Sequence, residues 1–238
     1  MNKAAAQNNI TAKVYLGLLY FEGNGTKKDY QEAIKYFASP AEQGNISAQL
    51  GLGSCYFNTK QYDKGVKWLA KAADQNNTQA QELLGVCYYC GYGVSQDYSK
   101  AAKWFRKAAD QGLVSAQANL GICYEKGRGV AKNHYTAVFW YRKAAEQGNK
   151  FAQCNLGTCY FKGNGVPEDK REAVKWFRKA AMQGNNIAMT NLGICYLYGH
   201  GVNKNRNEAV KWLRKAEKIG DKNATKYLNL LQRNKIAE

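Results

Sequence analysis

The chain carries a helical pattern of apolar positions that recurs about every 36 residues. In the stretch 115–126, Leu120, Cys123 and Tyr124 fall at spacings of three and four. That spacing places them on one face of an amphipathic α-helix. The stretch before it has the same period, and we expect Trp104 and Phe105 on its apolar face to be buried in the core. Each repeat is therefore predicted to contain two helices, A and B, joined by a turn.

Two recurring sequence features show how many repeats the chain contains. A leucine–glycine pair marks helix A, and its successive leucines lie 36, 32, 36, 36 and 36 residues apart. The five tryptophans mark helix B at intervals of 36, and Tyr36 takes their place in the first repeat. We predict repeats at 10–44, 45–76, 77–112, 113–148, 149–184 and 185–220, followed by a polar capping helix at 221–238.

Local signals agree with this division. A glycine such as Gly121 recurs inside helix A, where it costs about 1 kcal/mol relative to alanine, so we expect another side chain to pack closely against it. Pro40 predicts that the first helix B ends or kinks early. Candidate N-caps of helix B are Asp97, Asn133, Asp169 and Asn205.

The motifs A-x-x-x-L-G-x-x-Y, G-x-G-V and A-x-x-W-x-x-x-A-A-x-x-G together resemble the Sel-one-like repeat family, a relative of the tetratricopeptide repeats. The resemblance covers essentially the whole chain, although the second repeat lacks the G-x-G-V turn. It implies one all-α domain, a right-handed α-α superhelix (solenoid) with partial or capping helices at both ends. The function it implies is that of a protein–protein interaction scaffold.

The charge and hydropathy of the chain bear on which class of partner it binds. Of the 238 residues, 35 are Lys or Arg and 18 are Asp or Glu, which gives a net charge of +17. The mean hydropathy is −0.59, and no apolar run is long enough for a membrane-spanning helix. Many basic residues surround the tryptophans of helix B, as Lys103, Arg106 and Lys107 do. Binding of nucleic acid or an anionic surface is the alternative function, but we favour a solvated helix face.

The cysteines favour a reducing compartment. Equivalent positions in adjacent repeats are about 10 Å apart, whereas a disulfide requires Cα atoms within about 7 Å. We therefore expect reduced thiols and a cytoplasmic location or injection into a host cytosol. Residues 3–9 match 71–77, which predicts a chain truncated inside a helix B. The recurring cysteines are Cys55, Cys87, Cys123, Cys159 and Cys195.

Catalytic signatures are missing from the sequence. It contains no G-x-S-x-G, Walker A, H-E-x-x-H, S-x-x-K or K-T-G string. His134 and His200 have no evident catalytic partners, and Cys87 with Cys90 supplies half of the ligands that zinc needs. We predict a non-enzyme with no metal or cofactor. The resemblance leaves a weak β-lactamase or a cell-wall hydrolase as the least favoured alternative.

In tetratricopeptide-like grooves helix A lines the concave face, so the resemblance places the binding site there. We predict that a protein or peptide of acidic character binds through aromatic anchors, lysines and asparagine amides. The asparagines that precede the repeat leucine could clamp a peptide, bridge neighbouring helices, or do both. The predicted contact residues are Phe57, Tyr89, Asn119, Ile122, Lys126, Asn155, Phe161, Lys162, Asn191, Ile194, Leu197 and Tyr198.

Overall fold

The computed structural model describes residues 9–233, and this part of the chain consists of α-helices and turns. The odd-numbered helices up to α11 are helices A, the even-numbered ones are helices B, and α13 follows the sixth repeat. The prediction of an all-α fold is confirmed within this range. The helices are α1 (Ile10–Glu22), α2 (Tyr30–Glu42), α3 (Ile46–Asn58), α4 (Tyr62–Asp74), α5 (Thr78–Cys90), α6 (Tyr98–Asp110), α7 (Val114–Lys126), α8 (His134–Glu146), α9 (Lys150–Lys162), α10 (Lys170–Met182), α11 (Asn186–Tyr198), α12 (Arg206–Lys218) and α13 (Lys222–Arg233).

Side-chain caps determine where the helices begin. The Asp169 carboxylate accepts a hydrogen bond from the Glu172 backbone N at 2.9 Å, as its predicted role requires. The other predicted caps of helices B, Asp97, Asn133 and Asn205, are confirmed in the same way. Five of the six helices A, all but α7, also begin after an asparagine, as at Asn149, which accepts from the Ala152 N at 2.9 Å. Each cap contributes about 1 kcal/mol.

The expectation for Pro40 is wrong as far as an early end is concerned. Helix α2 continues through Pro40 to Glu42 and, like α4, is 13 residues long. Proline lacks a backbone N–H, but in the last turn its cost is confined to one helical hydrogen bond. The Pro40 carbonyl still accepts a hydrogen bond from the Asn45 N at 3.0 Å, which closes the connection to α3.

A glycine of helix A faces a large side chain of helix B in every repeat. A Cβ on Gly121 would lie 2.6 Å from the ring of Tyr141, which is fully buried. The expectation of close packing at the mid-helix glycine is therefore confirmed. The pairs are Gly17 with Phe37, Gly53 with Leu69, Gly85 with Phe105, Gly121 with Tyr141, Gly157 with Phe177, and Gly193 with Leu213.

The internal contacts divide the chain into two compact units. The N-terminal unit comprises the described residues up to Ala116 together with Arg128–Val130. The C-terminal unit comprises Gln117–Gly127 and the described residues from Ala131 onward. Within each unit, consecutive helices pack against each other. The prediction of a single domain stays a prediction.

From the third repeat onward, the second glycine of the long turn packs against the preceding repeat. Gly165 has a φ of +71°, and a Cβ there would overlap the backbone carbonyl of His134, at the start of the preceding helix B. Gly93 approaches Tyr62 in the same way. The glycine thus satisfies two demands, a left-handed backbone and a close approach between repeats.

Gly165→Ala should lower the free energy of unfolding by about 2 kcal/mol more than Gly25→Ala does. Both variants place alanine in a left-handed conformation, since φ is +71° at Gly165 and +74° at Gly25. That conformation costs alanine about 1–2 kcal/mol. A Cβ on Gly25 has nothing within 4 Å, so only the Gly165 variant adds an overlap. Urea unfolding of both variants measures the difference, and equal losses would contradict the inter-repeat role of Gly165.

Buried glutamines form a ladder that the sequence analysis did not identify. The Gln153 amide donates to the Ala145 carbonyl at 3.1 Å and accepts from the Gln183 amide at 2.8 Å. Gln153 is 5% exposed, so both bonds satisfy groups that water cannot reach. Matching pairs are Gln49 with Gln75, Gln81 with Gln111, and Gln117 with Gln147. In the sixth repeat the corresponding positions hold Met189 and Ile219.

Gln153→Met should lower the free energy of unfolding by about 1–3 kcal/mol, because the buried Ala145 carbonyl loses its side-chain partner. Met189 shows that the position can accommodate methionine. The control is Gln43→Met, which changes an exposed glutamine that donates to Ser39 of its own helix and not to a ladder glutamine, and which should cost less than about 1 kcal/mol. If the two variants unfold at the same urea concentration, the ladder does not contribute to stability as proposed.

Candidate functional site

Each helix A presents one exposed stripe, at positions separated by four, three and four residues. On α11 these are Ile187, Asn191, Ile194 and Tyr198. Residues at this spacing lie on one face of a helix. Ile187 is 56% exposed and Tyr198 is 49% exposed, while the two residues between them are half-buried. The stripe is therefore surface that the packing of helix A on helix B leaves uncovered.

The exposed stripe contains most of the predicted contact residues, and its chemistry differs between the two units. In the C-terminal unit it carries Asn119, Ile122 and Lys126 on α7, Phe151, Asn155, Thr158 and Lys162 on α9, and the four α11 residues. In the N-terminal unit the same positions hold Tyr15, Leu18 and Glu22 on α1, Ser47, Gly51, Ser54 and Asn58 on α3, and Gln79, Leu83, Val86 and Cys90 on α5. A role in partner binding for the predicted residues stays a prediction.

Four of the predicted contact residues, among them Phe57 and Leu197, lie one position before the end of the stripe and pack inward. The Phe57 ring contacts Tyr62, the first residue of α4, at a centroid distance of 5.1 Å. It also contacts Tyr92 in the next repeat's turn at 5.7 Å. Leu197 packs against the core of the C-terminal unit. These side chains hold successive repeats together, and a partner would reach only part of their surface.

Tyr89 and Phe161 complete the same pattern. Tyr89 contacts Arg128, which lies between the two glycines of the next turn and also stacks over the ring. Phe161 contacts His200, the equivalent turn residue, at a centroid distance of 5.6 Å. In three of the G-x-G turns, the residue between the two glycines is thus the partner of an aromatic in the preceding repeat.

The asparagines of α9 and α11 have available amides. Asn155 and Asn191 are half-buried, and within residues 9–233 their side chains form no hydrogen bond. Phe151, four residues before Asn155, is 61% exposed. Ile187 stands in the same relation to Asn191. The C-terminal unit therefore places two free amides beside two exposed apolar side chains.

A groove of about 530 Å³ lies across α1, α3 and α5 in the N-terminal unit. Burial raises the pKa of the Glu82 carboxyl, and a hydrogen bond with the Ser115 side chain opposes this effect. None of the lining residues is among the twelve predicted contact residues. They are Leu18, Phe21, Glu22, Ser47, Leu50, Gly51, Ser54, Gln79, Glu82 and Leu83.

None of the seven cysteines forms a disulfide, and all except Cys90 are buried. Burial raises the pKa of Cys55, Cys87 and Cys154 to about 12 and that of Cys159 to about 11. Such thiols remain protonated and unreactive at neutral pH. Within residues 9–233, no three His, Cys, Asp or Glu side chains are grouped to hold a metal ion.

Many basic residues of helix B make intramolecular contacts. Lys107 Nζ lies 4.2 Å from the Trp104 ring centroid, and similar pairs recur at Trp68, Trp140, Trp176 and Trp212. Trp104 is only half-buried, so the expectation that it fills the core is wrong. Phe105, the next residue, does so with 2% exposure. Cation–π packing accounts for these lysines, and nucleic-acid binding stays a prediction.

Comparison with known protein families agrees with the repeat pattern. Residues 78–113, 114–149, 150–185 and 186–221 each match the Sel1 repeat, and residues 26–87 match a tetratricopeptide repeat. The chain belongs to the Sel1 repeat family. Proteins of this family are α-solenoids that generally act as protein–protein interaction scaffolds and are typically non-enzymatic. No helix in residues 9–233 has the length and apolar character needed to cross a membrane.

Two solved structures of Sel1 repeat proteins are similar to this one. A protective antigen of uropathogenic Escherichia coli that displays an SLR fold is 35% identical, with a TM-score of 0.88 over 99% of this chain and 51% of its own. A Sel1 repeat protein from Oxalobacter formigenes is also 35% identical, with a TM-score of 0.83 over 97% of this chain and 68% of its own. This Sel1 repeat chain thus spans about half the length of the first protein.

One thiol per native chain should react rapidly with a disulfide reagent at about pH 8, because Cys90 is the exposed cysteine and the other six are buried away from the reagent. The others should react after unfolding in urea. Absorbance of the released thiolate measures both phases, and Cys90→Ser should remove the rapid one. A second rapid thiol in the native chain would contradict the described packing.

Proposed function

We propose that this Sel1 repeat protein is a non-enzymatic scaffold that binds an extended segment of another protein on the exposed stripe of its C-terminal unit. The observation that carries the proposal is the pair of free amides at Asn155 and Asn191. A carboxamide offers a donor and an acceptor, so it can pair with both polar groups of a peptide unit. The two residues occupy equivalent positions one repeat apart, which suits a segment that crosses α9 and α11.

Apolar contacts would supply most of the affinity. Phe151 and Ile187 are more than half exposed, and covering them contributes about 25 cal/mol per Å² of apolar surface. Tyr198 extends the apolar surface at the other end of α11. An extended segment that presents alternate side chains to these positions would combine backbone pairing with side-chain selectivity.

The charge of this stripe favours an acidic residue in the partner. Lys162 lies at its end on α9 and forms no ion pair within residues 9–233. Lys126 is compensated in part by Glu125 at 3.3 Å. An Asp or Glu side chain opposite Lys162 would therefore meet an uncompensated cation.

We also propose a reducing compartment, either the cytoplasm or a host cytosol. None of the seven cysteines forms a disulfide, and six of them lie in the packed interior of the repeats. Buried free thiols persist where glutathione and thioredoxin keep them reduced.

The double variant Asn155→Ala, Asn191→Ala should bind selected peptides about tenfold or more weakly than the native chain, since two hydrogen-bonding amides are lost. Peptides are first selected on the full chain from a random phage library, then synthesised and measured by fluorescence anisotropy. The urea midpoint of the variant should stay near the native value, because the amides have no internal partner. The control is Asn203→Ala, an exposed turn residue away from the stripe. If every selected peptide binds the double variant as tightly as the native chain, the amide clamp is wrong.

A further inference from the structure

The connections that follow helices B carry exposed apolar side chains in the last two repeats, where the earlier repeats carry polar ones. Met182 is the last residue of α10, and Ile219 follows the end of α12. They are 76% and 54% exposed, so the packing of the repeats requires neither of them to be apolar. The position of Met182 is acidic in the four preceding repeats, which hold Glu42, Asp74, Asp110 and Glu146. The position of Ile219 is glutamine in the five preceding repeats, which hold Gln43, Gln75, Gln111, Gln147 and Gln183.

This apolar surface adjoins the exposed stripe of the C-terminal unit. The connection after Met182 lies against the start of α9, because Lys150 Nζ is 3.5 Å from the Gln183 carbonyl oxygen. The Asn185 side-chain amide also donates to the Lys150 carbonyl at 3.5 Å. Phe151 is the next residue of α9, and Ile187 begins the stripe on α11. We call the four exposed residues at these connections the apolar edge: Phe151, Met182, Ile187 and Ile219.

The apolar edge lies within reach of the two free amides. Asn155 and Asn191 are one helical turn beyond Phe151 and Ile187, which corresponds to about 6 Å along the helix axis. A segment that pairs its backbone with the amides can therefore direct its side chains onto the apolar edge. Contiguous exposed apolar surface of this kind is typical of a binding site.

The charge at the apolar edge is basic. The position of Met182 is acidic in four repeats, but in the sixth repeat it holds Lys218. Lys222 begins α13 on the other side of Ile219, and neither lysine forms an ion pair within residues 9–233. Glu217 lies in the cleft between α12 and α13. An acidic segment would thus meet carboxylates at the Met182 position of the first four repeats and ammonium groups beside Ile219.

The adjoining amides favour a polypeptide over an anionic lipid bilayer. Lysines beside protruding apolar side chains suit a lipid surface as well as an acidic peptide. A carboxamide, however, pairs its donor and its acceptor with a peptide unit, and acyl chains offer it no such partner.

We propose that the segment bound by the C-terminal unit is acidic and amphipathic, and that its large apolar side chains cover the apolar edge. Its Asp or Glu side chains then pair with Lys218 and Lys222. The inference rests on the proposed function and deepens it, since it specifies the composition of the partner segment and the direction in which its side chains point.

The test uses variants that restore the residues of the chain's own repeats. Met182→Glu introduces the acid of the first four repeats, Met182→Gln removes the apolar side chain without adding charge, and Ile219→Gln restores the glutamine. Asn203→Glu is the matched control, because it adds the same charge in the exposed turn between α11 and α12. Peptides are selected from a random phage library on the native full chain and measured by fluorescence anisotropy. Urea unfolding should give each variant a midpoint near the native one, since other repeats fold with these residues.

We expect the peptides that depend on Asn155 and Asn191 to combine large apolar residues with Asp or Glu. Met182→Gln and Ile219→Gln should each weaken their binding about threefold, because apolar contact is lost. Met182→Glu should weaken it about tenfold more than Met182→Gln at about 0.05 M salt, and this difference should shrink at about 0.5 M salt as the repulsion is screened. Asn203→Glu should change binding by less than about twofold.

Equal binding of the Met182→Gln and Met182→Glu variants at low salt would overturn the inference, as would native affinity of all three edge variants. If Asn155→Ala, Asn191→Ala still weakens the same peptides, the proposed function stands without the inference. If the double variant also binds them with native affinity, both fail. The inference also fails if Met182→Glu leaves peptide binding unchanged but abolishes sedimentation with vesicles of phosphatidylserine and phosphatidylcholine, because the apolar edge then contacts a bilayer.

Discussion

The repeat depends on one steric constraint. Helix A has a glycine at one position, and a large side chain of helix B packs directly against it. Gly121 illustrates it, because a Cβ there would lie 2.6 Å from the Tyr141 ring. The same contact recurs in each repeat with phenylalanine, tyrosine or leucine as the inserted side chain. Since glycine inside a helix costs about 1 kcal/mol relative to alanine, the packing that it permits must contribute at least that much stabilisation in each repeat. The contact fixes which face of helix A is buried, and the opposite face then remains as the exposed stripe.

That stripe is where the repeats differ from one another. Positions that build the fold hold nearly the same residue in each copy, such as the glycine, the cap and the ladder glutamine. Positions on the stripe range from Leu83 to Asn155 and from Glu22 to Lys162 at equivalent places. One scaffold can therefore present an apolar, acidic groove in one unit and an amide-bearing, basic stripe in the other without any change in its packing.

The sequence predicts the parts of the fold that repetition makes visible. Helix periods, caps such as Asp169 and the role of Gly121 follow from spacing alone. Spacing does not distinguish between adjacent residues, however, which is why Trp104 was assigned to the core that Phe105 fills. Pro40 misled because a proline removes its own helical hydrogen bond but does not prevent the last two residues of the helix from following it.

The candidate site was predictable to a lesser degree. The register of Asn155 and Asn191 was visible, and the structure places them on the exposed stripe. Phe57, Tyr89 and Phe161 could not be placed from their own register, since their partners come from the turn of the next repeat. The groove around Glu82 was missed because it combines residues from three helices at positions with no shared residue type.

Magnetic resonance titration of the full chain with a selected peptide tests the central claim most directly. It follows the side-chain amides of asparagine, the methyl groups of leucine and isoleucine, and the indole N–H groups of tryptophan. The account predicts that the largest shifts lie on the exposed stripe of the C-terminal unit, at Asn155, Asn191 and Ile187. Shifts concentrated at the tryptophan indoles of helices B, with the stripes unchanged, would contradict it.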